Sequence, residues 1–304
     1  MKFKTMSVHS GQRVDPQTGA LTTPLYQSST FSYFNAQAGK ERFAGQAPGF
    51  IYSRFGNPTT AELEQKLAAL EGADEALVVA SGMAAVSAIM YALADSGDEV
   101  AYIGPLYGGT DAFLKQTFSR AGIKVTAYES DQDLLANIRP ATKVVLFETL
   151  TNPTLKVVDP RVVVEAARKV GAITVCDNTF LTPYLLRPLE LGIDIVMHSG
   201  TKYLGGHGDI IAGVVAGSHA LMKSIRTVAL KHIGSPIGPQ EAYLLQRGVK
   251  TLPLRMDAHL HNAQKVADFL AAHPAVKKVI YPGLANHPGH DALGAFASGF
   301  GGMV

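Results

Sequence analysis

From residue 57 onward, short apolar runs alternate with helix-patterned stretches, and this alternation constrains the fold more than any other feature of the chain. The runs are Ala76–Ala80, Glu99–Ile103, Lys124–Tyr128, Lys143–Phe147, Ala172–Cys176, Asp194–Met197 and Ile210–Val215. They are too short for core helices, and most are too continuously apolar for half-exposed strands, so they read as strands buried on both faces. Helical spacing occupies Met83–Leu93, Asp111–Arg120, Pro160–Val170 and His219–Leu230. Leu63, Leu67 and Leu70 recur at helical spacing behind Asn57-Pro58, an N-cap followed by a proline suited to the first helical position. The alternation predicts an α/β fold: a mostly parallel central sheet covered by helices, with ligands beyond the carboxyl ends of the strands.

The flanks read differently. Residues 1–56 are rich in Gly, Pro, Ser and Thr and show little periodicity. They read as an N-terminal extended arm that lies on its own chain or on a neighbouring subunit. Residues 57–238 read as the large domain. Past Gly238, Gln240–Arg247 and His259–Ala271 read as helices and Val276–Tyr281 as a strand, so residues 239–304 read as the start of a small C-terminal α+β domain. The chain stops at Gly301-Gly302-Met303-Val304, in what reads as the opening of another strand, and the expectation is an incomplete, truncated domain.

Composition narrows the function classes. A formal net charge of +2 with both signs interspersed argues against a nucleic-acid partner. No apolar run approaches the roughly 18 residues of a membrane span. The opening MKFKTMSVHSGQ lacks a signal-peptide core. The single cysteine, Cys176, excludes an intramolecular disulfide and reads as a buried core residue, which suits a reducing cytosol. The expectation is a soluble, cytoplasmic protein. No G-x-G-x-x-G follows the first strands and no G-x-x-x-x-G-K-[ST] occurs, which argues against a dinucleotide or P-loop enzyme. The ten histidines show no paired ligand spacing, so no metal is expected.

Two residues at strand ends carry the chemistry. Asp177 follows the run Ala172–Cys176, where a side chain faces the ligand crevice; alone, it is equally well read as a turn cap. Lys202 lies in His198-Ser199-Gly200-Thr201-Lys202-Tyr203-Leu204-Gly205-Gly206-His207-Gly208, just past another strand. Most lysines are solvated surface charges, but one among glycines and hydroxyls at a strand end can serve as an amine nucleophile. Together the two meet what pyridoxal phosphate requires: an amine for its aldehyde and a carboxylate to keep its ring nitrogen protonated. Ser81-Gly82-Met83, at a strand-to-helix turn, offers an anion cradle, with Ser199 and Thr201 adding hydroxyls; the simpler reading of Ser81 is an N-cap. Tyr107 is placed to stack on a ring, Tyr52 and Arg54 form a phosphate-binding pair by type, and Asn152 carries an amide donor. Each of these four has an ordinary structural reading when taken alone.

The segments YSRFGNPTT, SGMAA, LYGGT, ETLTNPT, CDNTF, HSGTKYLGGHGD and RGVKTLPLRM occur in this order. With them the chain resembles, over nearly its whole length, the Cys/Met-metabolism family of pyridoxal phosphate enzymes. That family includes cystathionine γ-lyase, methionine γ-lyase, cystathionine γ-synthase and the O-acylhomoserine sulfhydrylases. The resemblance implies a fold-type I, aminotransferase-like domain and a homotetramer, a dimer of dimers, with active sites shared between subunits. By match of position, Lys202 is the Schiff-base lysine and Asp177 the partner of the pyridine nitrogen. Gly82, Met83, Ser199 and Thr201 match the phosphate cradle. Tyr107 matches the stacking tyrosine that also assists proton transfer. Tyr52 and Arg54 match a pair that reaches the neighbouring subunit's phosphate site, and Asn152 a residue near the ring oxygen and the substrate carboxylate.

The chain also departs from the family pattern. The family's substrate-carboxylate arginine and nearby serine lie beyond Val304. Methionine γ-lyases of the best-known type carry a cysteine where this chain has Gly109, and often an Asp where it has His232, while cystathionine lyases and sulfhydrylases have glycine at the first position, as here; the surrounding ALKHI and RGVKTLPLRM nonetheless look most like methionine γ-lyases. The expected activity is γ-elimination on a sulfur amino acid, methionine or cystathionine, with Lys202 moving protons and Tyr107 as the acid for the leaving group. The alternatives are γ-replacement on O-acetyl- or O-succinyl-homoserine and, from another class, a non-catalytic cofactor-binding fragment.

Overall fold

The computed structural model describes residues 1–304. Its strands are β1 (Glu75–Val79), β2 (Glu99–Ile103), β3 (Lys124–Tyr128), β4 (Thr142–Glu148), β5 (Ile173–Asp177), β6 (Ile195–Ser199) and β7 (Gly213–Gly217). They form one seven-stranded sheet in the order β1-β7-β6-β5-β4-β2-β3. Only β7 runs against its neighbours; β2 to β6 pair in parallel. The carboxyl ends of six strands therefore share one edge, and the first residue of β7, Gly213, pairs there with both Val79 and Ser199.

The period-2 alternation along the strands feeds two cores. Leu77, Val79, Val144, Leu146, Val175 and Val215 face the helices Gly82–Leu93 and His219–Arg226. Ala76, Val78, Val214 and Ala216 face the opposite layer, where Leu63 and Leu67 of Pro58–Glu71 and Leu245 of Pro239–Val249 pack. Phe147, Cys176 and Val163 continue that layer under Pro160–Arg168. Cys176 is fully buried, as its apolar surroundings imply. No helix is long and apolar enough to cross a membrane.

Several expectations are corrected. Val276–Tyr281 is irregular, with a bend at Lys277, and joins no strand. Its apolar end packs on a helix instead: Tyr281 is buried against Ala263 and Ala267 of Leu252–Ala272, with Val279 beside them. The terminal segment 301–304 is likewise not a strand. The stretch Asp111–Arg120 is not one α-helix. It runs as Gly108–Ala112, a π turn over Phe113–Thr117 and a 3-10 turn over Phe118–Ala121. The wider turn sets Phe113 and Phe118 on one face, with rings 5.5 Å apart and both against Tyr91. His219–Leu230 similarly leaves the α-helix at Arg226 for a π turn over Thr227–Ile233.

The arm is not wholly extended, since it contains the short helices Phe3–His9 and Ala36–Phe43. It is pinned to its own chain at several points. Lys66 Nζ donates to the carbonyls of Ser7 (3.1 Å) and Val8 (2.9 Å), capping the end of the first helix. Thr59 Oγ1 donates to Pro24 O and accepts from Tyr26 N. Asn57 joins the two systems. Its Oδ1 caps the helix Pro58–Glu71 in a capping box with Thr60, and its Nδ2 donates to Tyr26 O and Ser53 Oγ, each at 2.9 Å. Asn57→Ala removes the cap and leaves the buried donors and acceptors around it unpaired. Urea unfolding followed by circular dichroism should show a loss of about 1–3 kcal/mol. Asn57→Asp, which keeps the capping oxygen but not the amide donor, should recover part of it; a wild-type midpoint for Asn57→Ala would refute the assignment.

Candidate active site

A cavity of about 280 Å³ opens at the carboxyl edge of the sheet. Of the residues singled out from the sequence, Ser81, Gly82, Met83, Tyr107, Asn152, Asp177, Ser199, Thr201 and Lys202 all line it. Tyr52 and Arg54 do not. Arg54 Nη1 donates to Leu230 O (2.9 Å) and Lys231 O (3.2 Å), and its guanidinium lies 4.5 Å from the centre of the Phe55 ring. Tyr52 forms an isolated bridge with Thr30 and is partly exposed.

Asp177 is the last residue of β5. Thr179 donates to its Oδ1 through the main-chain N–H (3.0 Å) and the hydroxyl (2.5 Å), which leaves Oδ2 without a protein partner. Thr179 Oγ1 in turn accepts from Ser199 N at 2.8 Å, so one side chain ties the end of β5 to the end of β6. Burial pushes the Asp177 carboxyl above its ordinary range, against the pull of the Thr179 donors and of His198. His198 is itself buried, with Nε2 2.5 Å from Glu71 Oε1.

Next to Asp177 in register lies Glu148, the last residue of β4. Its Oε1 accepts from Tyr107 N (2.5 Å) and its Oε2 from Asn152 N (2.8 Å). Burial, then the negative charge of Asp177, push Glu148 up to about 8. Sequence reasoning missed Glu148 and Thr179, both of which line the cavity. It also missed Arg255, whose guanidinium donates to the carbonyls of Tyr203 (2.6 Å), Leu204 (3.4 Å) and Gly248 (2.8 Å) and so braces the turn that carries Lys202. The signal for Glu148 was present: it ends a strand, as Asp177 does.

The opposite end of the cavity favours anions. Ser81 Oγ accepts from Ala84 N (3.0 Å) and is the N-cap of Gly82–Leu93, so the simpler reading of this hydroxyl holds. The N–H groups of Gly82 and Met83, in the first turn, have no intrahelical acceptor. Gly213 must be a glycine here, because a Cβ would lie 2.1 Å from Ser81 O. Thr201 Oγ1 accepts from Ala212 N (3.1 Å) and pins the Lys202 turn to the segment before β7. Lys202 Nζ takes part in no ion pair.

Residues 4–304 match the family described as Cys/Met metabolism PLP-dependent enzymes, PLP being pyridoxal phosphate. The chain belongs to that family. It is 46% identical over 305 residues to the L-methionine γ-lyase of Pseudomonas putida, covering 99% of this chain and 77% of the relative. It is 44% identical over 307 residues to the cystathionine γ-lyase of Bacillus subtilis, covering all of this chain and 78% of that enzyme. Among solved structures it superposes with a TM-score of 0.94 on a Campylobacter jejuni protein described as an O-acetylhomoserine (thiol)-lyase, at 33% identity. The overlap spans 99% of this chain and 84% of that one, which carries an N'-pyridoxyl-lysine-5'-monophosphate.

A Cys/Met metabolism enzyme uses pyridoxal phosphate, and the cavity suits it. Asp177 Oδ2 is an unpartnered carboxylate oxygen at a buried floor, available to a pyridinium N–H, and free helix N–H groups stand at the anion end. Without the cofactor, no protein cation touches Asp177 or Glu148. Both carboxyls have folded pKa values raised above their unfolded ones. Their contribution to stability is therefore complete below the unfolded values and is lost as pH rises from about 4.5 through about 8. The thermal midpoint of the cofactor-free protein should fall across that window, and the fall should shrink in Glu148→Gln and on adding pyridoxal phosphate. Differential scanning fluorimetry at stepped pH reads this; a fall of wild-type size in Glu148→Gln would refute the assignment.

Proposed function

We propose that this chain catalyses pyridoxal-phosphate-dependent γ-elimination on a sulfur amino acid, methionine or cystathionine, with Lys202 as its principal proton carrier. The observation that carries the reading is the grouping, in one cavity, of an amine without an ion pair, Lys202, an unpartnered carboxylate oxygen on Asp177 and the Tyr107 phenol. The γ-lyases among its relatives share 42–46% of its residues over nearly the whole chain.

Bound through its aldehyde to an amine, the cofactor draws electrons from the amino acid's α-carbon and makes the protons at Cα and then Cβ removable. In this reading, Asp177 Oδ2 would accept the pyridinium N–H and keep the ring an electron sink. The N–H groups of Gly82 and Met83, with the hydroxyls of Ser199 and Thr201, would hold the phosphate. Asn152 would offer its amide to the cofactor. Lys202 Nζ takes the proton from Cα and then one from Cβ, and Tyr107 protonates the sulfur that leaves Cγ. Methionine and water then yield methanethiol, 2-oxobutyrate and ammonia. A second reading, γ-replacement on an O-acylhomoserine, draws on the similarity to the Campylobacter jejuni structure.

We also propose that the arm meets a second copy of the chain in a homotetramer built from dimers. Leu21 (69% exposed), Phe34 (95%) and Phe43 (66%) support this, since the arm leaves these large apolar side chains uncovered. The same contact offers Tyr52 and Arg54 a role across the interface. A cytoplasmic location is in keeping with a single, buried cysteine.

Lys202→Ala should lose the near-visible absorption of the lysine-bound cofactor and slow turnover by at least about a hundredfold. Methionine, cystathionine and O-acetylhomoserine with a thiol, assayed side by side for oxo acid and thioether, separate elimination from replacement. Near-normal turnover by Lys202→Ala refutes the mechanism, and thioether formation without oxo acid favours replacement.

A further inference from the structure

Glu148 has no part in the chemistry proposed above, yet two loops of the cavity hang from it. It ends β4, which lies between β2 and β5, and it is only 5% exposed. Its two oxygens hold the main-chain N–H groups of Tyr107 and Asn152. Neither N–H has a main-chain acceptor. Tyr107 precedes a helix of five residues, Gly108–Ala112, that has no side-chain cap. Its ring is half-exposed, so packing does little to hold it. Asn152 follows β4 in irregular backbone, and its side-chain amide makes no hydrogen bond within the chain.

Holding both N–H groups at once requires two acceptor oxygens on one rigid support. A carboxyl meets that need in either protonation state, since a hydroxyl oxygen keeps a lone pair, whereas the amide of a glutamine brings one oxygen and an NH2 with no acceptor capacity for the second N–H. The support is as rigid as the chain offers: β4 is paired on both sides, and Phe147, the preceding residue, is fully buried. Glu148 also neighbours Asp177 in register, so the clamp and the cavity floor are parts of one ladder.

We infer that Glu148 is a positioning residue, a two-oxygen clamp that sets the Tyr107 phenol and the Asn152 amide over the cavity floor. This rests on the elimination reading for its effect on rate, but the clamp itself is a property of the folded chain. A displacement of about 1 Å in a reacting group costs on the order of a hundredfold in rate, so a loosened clamp acts on kcat more than on binding.

Two measurements test it. The first needs no turnover. In hydrogen exchange of the cofactor-free protein read by mass spectrometry, Glu148→Gln should speed exchange in segments 104–112 and 149–156 while the strands stay protected. The second is a double-mutant cycle on the enzyme with cofactor. Glu148→Gln should lower kcat by roughly tenfold to a hundredfold with KM little changed and the cofactor's absorption band retained. In a Tyr107→Phe background, the same substitution should cost far less, because the group it positions is gone. Glu148→Asp, with both oxygens set back by one methylene, should give the same signature to a smaller degree and serves if Glu148→Gln does not fold. Unchanged exchange in the two segments, or equal costs in the two backgrounds, overturns the clamp. Faster exchange in a protein that eliminates neither methionine nor cystathionine upholds the clamp and overturns the elimination reading instead.

Discussion

Glu148 and Asp177 stand side by side at the ends of two parallel strands, Glu148 buried and Asp177 half-buried, and neither is in an ion pair with a protein cation. Adjacent carboxylates out of water are costly unless hydrogen bonds or a positive charge offset them. The chain supplies hydrogen bonds. Main-chain N–H groups arrive from Tyr107, Asn152 and Thr179, one from each of the loops after β2, β4 and β5. The shapes of these loops follow from that demand, because each must turn back to bring an N–H to a strand end. No cation pairs with them directly, and a protonated pyridine ring bound there would supply one.

The far end of the cavity has the opposite polarity. The first turn of Gly82–Leu93 presents unpaired N–H groups, and Gly213 lets β7 come close enough to the Ser81 carbonyl to bring that turn against Ser199. A negative floor and a positive rim complement a cofactor with a cationic ring and an anionic phosphate. Lys202 lies in the turn after β6, whose backbone Thr201 and Arg255 brace from two directions. Rigid supports of this sort fix where an amine can reach, which matters more for a proton carrier than its average basicity.

Much of this was legible in the sequence for a physical reason. Strands buried on both faces must be continuously apolar, so the seven runs stand out, and with them the strand ends where ligands sit. Asp177 could be picked out because its run was followed to its end. Glu148 occupies the same position one strand over, but its strand was read to Phe147 only, one residue short, and the carboxylate fell into the loop. Thr179 and Arg255 leave no such trace, since the contacts by which they tie separate elements together, to Ser199 and Tyr203, span 20 and 52 residues and only the folded chain brings those residues close. Val276–Tyr281 shows the converse: a short apolar cluster signals a buried face, and here a helix covers that face instead of a sheet.

The contact at Gly109 bears on substrate choice. A Cβ at this position would lie 2.6 Å from Cε1 of Tyr107 and 3.3 Å from Met83 Sδ, so any side chain there displaces the ring or the thioether. With a cysteine at this position, the tyrosine ring of this chain would have to sit differently from the way it sits here. Tyr107 is the proposed acid for the leaving sulfur, and Met83 is part of the proposed phosphate cradle. A change at Gly109 thus reshapes the space for the γ-substituent from two sides. Across a whole chain, 46% identity averages over hundreds of positions that never approach the substrate. For the identity of the leaving group, the packing of Gly109 against Tyr107 carries more weight than that average.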